Sequence, residues 1–161
     1  MTMADRLVVM NLGVAEQVGT PRDVYQTPAS AFVAGFIGSP SMNFIDARVS
    51  ATRDGLEVGD LVVPLNGDRS LEAGQPVTLG IRPEDLLVET EAAAMPLKIE
   101  LVEHLGTDTI VHGMAVDGPR QSIILRFHGD RDFRVGDSVQ AAVNPDKIHL
   151  FDPETGRRLY T

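Results

Sequence analysis

From Phe44 onward, short apolar stretches alternate with turn signals so regularly that the chain is confined to a turn-rich β fold. The candidate strands are Ile45 to Ala51, Leu56 to Val58, Leu61 to Leu65, Pro76 to Arg82, Leu97 to His104, Thr109 to Val116, Ser122 to Phe127, Ser138 to Val143 and Ile148 to Phe151. Among them fall Asp54-Gly55, Gly59-Asp60, Asn66-Gly67, Asp117-Gly118 and Gly136-Asp137, several of them dipeptides that supply positive φ at a tight turn. Strands this short and this closely spaced predict a sandwich or small barrel, not a parallel α/β sheet. Asp68 to Gly74 reads as a polar loop, and Glu84 to Met95 as a short helical turn followed by an acidic loop. The frames EVGDLVV and RVGDSVQ match around their Gly-Asp pairs, which is expected of a common hairpin turn and does not require two related halves.

Upstream, Phe32 to Phe44 reads FVAGFIGSPSMNF. Phe32, Val33, Phe36 and Ile37 share one face at helical spacing, and Ala34 and Gly35 allow close approach. The helix is expected to break at Gly38-Ser39-Pro40, because proline has no amide hydrogen and pushes the preceding residue toward extended geometry. The stretch reads as a hinge between two units. Before it, Arg6 to Met10 suits a short buried strand, Asn11-Leu12-Gly13 a turn, and Val14 to Val18 the return strand of a hairpin. Thr20-Pro21 caps and starts a helix, Pro21 to Gln26, and Thr27-Pro28 is expected to start a second, Ala29 to Ile37, in the same way. A lone hairpin with two short helices cannot bury its own apolar faces. Leu7, Val8 and Val9 therefore need either the domain that follows or a sheet from elsewhere.

With 161 residues, 43% of them hydrophobic, the chain has material for one core and part of another unit. No apolar run approaches the roughly eighteen residues of a membrane span, so no direct membrane insertion is expected, and no export signal opens the chain. The lack of cysteine excludes disulfides and thiolate metal sites and is compatible with a cytoplasmic location. A formal charge of −9 repels a phosphate backbone, and six Phe, two Tyr and no Trp leave few stacking platforms for bases. Nucleic acid is not expected as a partner.

The chemistry-bearing residues are sparse. No phosphate loop, G-x-G-x-x-G or H-E-x-x-H motif occurs. His104 and His112 flank the turn Leu105 to Asp108 and have the spacing to face each other across a hairpin, yet no carboxylate stands ready to complete a metal site. They read as strand residues, and His128 and His149 are isolated. Ser39, Ser41 and Ser122 lack a recognisable base. Glu84, Asp85, Glu89 and Glu91 read as a solvated face, since oxygen-ligand sites need tighter alternation. Arg82-Pro83-Glu84 is sharper: a planar donor and a carboxylate end an apolar strand together, as in a structural ion pair or cap that fixes a corner.

Three motifs, FVAGFIGSPSMNF, GIRPED and NPDKIHLFDPETGRRL, resemble the C-terminal part of the ATP-binding subunit of bacterial ABC importers of the maltose and glycerol-3-phosphate type. MTMADRLVVMN and VAEQVGTPRDVYQTP resemble the end of that subunit's nucleotide-binding domain, so the resemblance runs from about Met1 to about Leu159. It implies a remnant of the nucleotide-binding domain over 1–20, a helical linker over 21–42 and a TOBE, oligonucleotide-binding-type β-barrel over 43–161. It implies no catalysis, cofactor or metal in this chain, with ATP and Mg belonging to a fuller subunit. It also implies a homodimer that scaffolds the ATPase pair, membrane subunits reached through the ATPase domain, and a cytoplasmic position at the inner face of the membrane. Phe32, Phe36, Asn43, Phe44, Arg82, Pro83 and Glu84 are the interaction and structural candidates. Val14 and Ala31 stand where relatives often carry a basic residue, so a phosphotransferase-type regulator is not implied. A second reading, a sensor of a sugar phosphate or oxyanion, would place Arg82 and the loop Leu105 to Thr109 around one pocket.

Overall fold

Alternating burial along the strands generates the architecture. In the computed structural model, which describes residues 4–65, 71–88, 94–117 and 120–159, β1 (Leu7–Asn11) and β2 (Val14–Gly19) pair as an antiparallel hairpin. Two short helices follow, α1 (Pro21–Gln26) and α2 (Ala31–Phe36). The remaining strands are β3 (Asn43–Val49), β4 (Gly55–Val58), β5 (Leu61–Pro64), β6 (Pro76–Ile81), β7 (Leu86–Val88), β8 (Met95–His104), β9 (Asp108–Ala115), β10 (Ser122–His128), β11 (Ser138–Val143) and β12 (His149–Phe151). They form two antiparallel five-stranded sheets, in the orders β12-β6-β3-β4-β5 and β10-β9-β8-β11-β7. Ile45, Leu56, Leu79 and Ile81 of the first sheet cluster with Leu97, Ile99, Ile123 and Leu125 of the second in one core. The chain is mainly β, as its spacing predicts, with the OB-like barrel that the resemblance implies. The Asn66-Gly67 turn, the start of the loop at Asp68, the acidic residues Glu89 and Glu91, and Gly118 lie outside the described residues.

Three local expectations need correction. The stretch Glu84 to Met95 contains a strand, β7, which pairs with β11 through Leu86, Leu87 and Val88 directly after the 3-10 turn Pro83–Asp85. A three-residue apolar run is too short to announce itself by period. The second helix begins at Ala31, capped by Ser30, and not at Pro28. Thr27 is already the end of α1, its amide and hydroxyl both donating to the Asp23 carbonyl, so it is not free to open another helix. Finally, Phe32, Val33, Phe36 and Ile37 do not act as one face. Val33 is buried with Val9 and Val24, whereas Phe32 and Phe36 are 40% and 67% exposed and stack on each other with centroids 6.0 Å apart.

The hairpin is thus half partnered. Val9 on one face packs with Val24 and Val33, with Leu7 and Ile37 against them. Val8, Met10 and Val18 on the other face are exposed, with Leu12 at the tip.

One buried side chain closes the barrel where the backbone does not. β10 is the outer strand of its sheet, and Ile124 turns its amide and carbonyl to the free edge. The Asn43 amide meets both: Nδ2 donates to the Ile124 carbonyl at 2.8 Å, and Oδ1 accepts from the Ile124 N–H at 2.8 Å. The side chain does what a neighbouring strand would do, and it hides an edge that would otherwise recruit another chain. Gln121 adds a second stitch by donating to the Phe44 carbonyl. Asn43→Ala should lower the unfolding free energy by about 2–4 kcal/mol, because two bonds are lost and two backbone groups are left bare. Urea denaturation checks this against Val62→Ala on an exposed face, which should stay within about 0.5 kcal/mol.

Candidate functional site

β6 ends at a corner where three segments converge on Arg82. The side chain is only 3% exposed, and its charge is met by backbone dipoles. Nη1 donates to the Ile37 carbonyl at 2.9 Å, just past α2, and Nη2 to the Tyr25 carbonyl at 2.6 Å, in α1. The guanidinium also lies 3.5 Å from the centroid of the Tyr25 ring, and the Tyr25 hydroxyl donates to Glu84. Pro83, buried, starts the 3-10 turn that carries Glu84 and Asp85. Gly38 permits the approach: its φ is +135°, and an added Cβ would stand 3.0 Å from Arg82 Nη1. Burial lowers the Arg82 pKa below its ordinary value, opposed by Tyr25, Glu84 and Asp85. Burial, reinforced by the bond to Glu84, pushes the Tyr25 hydroxyl up to about 12, and burial also raises the Asp85 carboxyl. The corner locks strand to hinge.

A second lock closes over the hinge from the end of the chain. The Asp152 carboxylate accepts from the amides of Glu154 and Thr155 and from the Thr155 hydroxyl, so the chain reverses, and the Thr155 amide first, then its hydroxyl, hold the carboxyl below the usual range. The returning segment then bonds both ways. The Arg158 amide donates to the Ala29 carbonyl and the Ala31 amide to the Gly156 carbonyl, while the Leu159 amide reaches back to Leu150. α2 is therefore held by the returning C-terminal segment as well as by Arg82. Phe44 and Phe151 meet edge to face at 5.9 Å beneath it, with Ala34 and Met42 in the same cluster.

Of the candidates read from sequence, Arg82, Pro83 and Glu84 come together, Asn43 and Phe44 stand at the start of β3, and Phe32 and Phe36 point to solvent. Glu84 does not salt-bridge Arg82 but takes the Tyr25 hydroxyl, a partner 59 residues away. Asn43 was detectable in principle, since a polar residue in an inward position of an alternating strand must find a bond. Tyr25 and the C-terminal return carry no local signal. His104 and His112 do not face each other: a bulge puts His112 opposite Leu101 and His104 opposite Thr109. They pair with Glu103 and Asp130 instead, His112 Nε2 at 3.4 Å and His104 Nδ1 at 2.9 Å. Arg82 and the loop Leu105 to Thr109 line separate grooves, the first with Lys147 and His149, the second with His104 and Asp130. The loop's carboxylate, Asp108, is held below the usual range chiefly by the Arg126 guanidinium at 2.9 Å.

Comparison with known proteins agrees with this geometry. Residues 38–86 match the MalK OB fold domain and residues 79–151 the TOBE domain. The chain is 46% identical to the sn-glycerol-3-phosphate import ATP-binding protein UgpC of Paracoccus denitrificans, 46% to that of Cereibacter sphaeroides and 43% to that of Salmonella choleraesuis. Each match takes in 99% of this chain and 44% of the relative, so the chain spans less than half the length of those proteins. Among solved structures, the cytoplasmic molybdate-binding protein ModG shares the fold, with a TM-score of 0.50 at 17% identity over 69% of this chain and 96% of that one.

Arg82→Lys should destabilise the chain by about 2–4 kcal/mol, because an ammonium cannot serve both carbonyls and stack on the ring. Hydrogen exchange should show the residues around Ile37 and Tyr25 opening first. A distinct pH effect belongs to His149, whose Nδ1 is buried with no partner among the described residues. Burial first, then Arg158 and Arg82, lowers its pKa from 6.5 to about 4. Between those values the unfolded chain takes the proton and the folded chain does not, so stability should fall as the pH drops from 6.5 to 4. His149→Phe should flatten that segment of a stability–pH curve.

Proposed function

The chain belongs to the family that carries a MalK OB fold domain and a TOBE domain, and from that premise we propose that it is the C-terminal accessory domain of an importer ATP-binding subunit. The observation that supports this best is identity of 43 to 46% to import ATP-binding proteins along 99% of the chain. In this reading the barrel is a regulatory scaffold that grips a second copy, and ATP chemistry belongs to a nucleotide-binding domain preceding it. The exposed face of the β1–β2 hairpin, with Val8, Met10 and Val18, is what that domain's sheet would cover. The Arg82 corner and the C-terminal return would then transmit its movement to the barrel as a stiff joint. sn-Glycerol-3-phosphate or a related solute is the proposed cargo, and the inner face of the cell membrane the proposed place of work.

The test is a chimera of the Paracoccus denitrificans UgpC in which this chain replaces the matching segment, expressed in cells lacking that protein. Uptake of sn-glycerol-3-phosphate should be restored, and Arg82→Met in the chimera should reduce it while nucleotide binding persists. A folded, expressed chimera that fails to support uptake would sink the proposal. So would ATP hydrolysis by this chain alone.

A further inference from the structure

Where the β4–β5 hairpin passes the beginning of β8, the two sheets part and leave a cavity of about 190 Å³. Its floor is apolar and drawn from both sheets: Ile45, Val58, Leu61, Met95 and Ala115. Its charge is of one sign. Asp46, Asp60 and Asp117 stand at its lining and are exposed, and among the described residues no Lys, Arg or His lines it. Among the described residues none of the three carboxylates enters a salt bridge. The remaining polar side chain, Gln121, is tied to the Phe44 carbonyl.

Size and charge together select a ligand class. The volume is below the roughly 300–1,000 Å³ of pockets that enclose drug-sized molecules, so one ring or a short alkyl chain fills it. A carboxylate or phosphate group would meet three like charges. A neutral head group would gain nothing from them, whereas a protonated amine gains from all three. An apolar wall of low dielectric concentrates that field at the mouth. We propose that this cavity binds a small molecule joining an apolar body to a protonated amine. The site is independent of the importer reading, since neither Arg82 nor the β1–β2 hairpin contributes to it.

Benzylamine, benzyl alcohol and benzoate share a ring and differ in charge, so an NMR titration of the chain with each isolates the proposed selectivity. Benzylamine should shift the amides of residues 58–61, 94–95 and 115–117 saturably, benzyl alcohol more weakly and benzoate not at all. Replacing all three carboxylates by Asp46→Asn, Asp60→Asn and Asp117→Asn should weaken benzylamine about threefold or more and leave benzyl alcohol unchanged. Added salt should weaken benzylamine in the parent chain only. Equal binding of amine and alcohol, a triple variant that binds benzylamine as well as the parent, or no saturable shift in those residues would each overturn the proposal. Because the three-ligand comparison needs no variant, it stands even if the triple substitution disturbs folding.

Discussion

The barrel depends on one amide. Two five-stranded sheets enclosing a core must either close on each other or leave edge strands facing water with unpaired backbone groups. Here β3 lies inside one sheet and β10 at the rim of the other, and the Asn43 side chain spans the gap with a donor and an acceptor at the spacing of a peptide group. No other neutral side chain of similar size offers both at once to one residue's N–H and C=O except glutamine, which is one carbon longer. The bond pair is 81 residues apart in sequence, so it fixes global shape and not local conformation.

From that closed barrel the rest follows as attachment. β6 pairs with β3 on one side and β12 on the other, and Gly80 at their crossing leaves room for Met42 and Phe151, whose atoms would lie 2.6 and 2.8 Å from an added Cβ. The same strand delivers Arg82 to the hinge, and β12 delivers the returning C-terminal segment. Hinge residues 25–38 are therefore held from two sides by backbone bonds, with a buried charge at the centre. A guanidinium surrounded by carbonyls resists displacement strongly, since moving it away strands both the cation and its acceptors.

Legibility in the sequence tracked the range of the interaction. Thr20 and Pro21 announced α1 because cap and helix lie within one turn, and the hairpin turns set most strand limits for the same reason. Ser30 was hidden because Thr27-Pro28 imitates a helix start, and only the bonds from Thr27 back to Asp23 show that the position is taken. β7 was hidden by its length. The corner was visible as Arg-Pro-Glu, but its partners were not: Tyr25 and Ile37 lie 57 and 45 residues away, and no periodicity links them. The paired aromatics of α2 misled in the opposite sense, because helical spacing marks a shared stripe without saying which side of the helix is covered.

The exposed apolar surface bears on how copies of this chain meet. At physiological ionic strength the Debye length is about 8 Å, so a net charge of −9 acts only weakly between two copies until they nearly touch. Contact is then decided by short-range apolar burial, and the face of the hairpin with Val8, Met10 and Val18 is one contiguous candidate. Barrel residues such as Leu87, Leu101 and Val135 are scattered on separate strands and loops. Association of the chain alone would therefore draw first on the hairpin, the surface that a preceding domain would occupy. A barrel-to-barrel contact would emerge only when that face is covered or charged, as by Val8→Lys with Met10→Glu. Sedimentation of that double variant distinguishes the two: a dimer that survives it belongs to the barrel, and a monomer means the hairpin had been gripping its own copy.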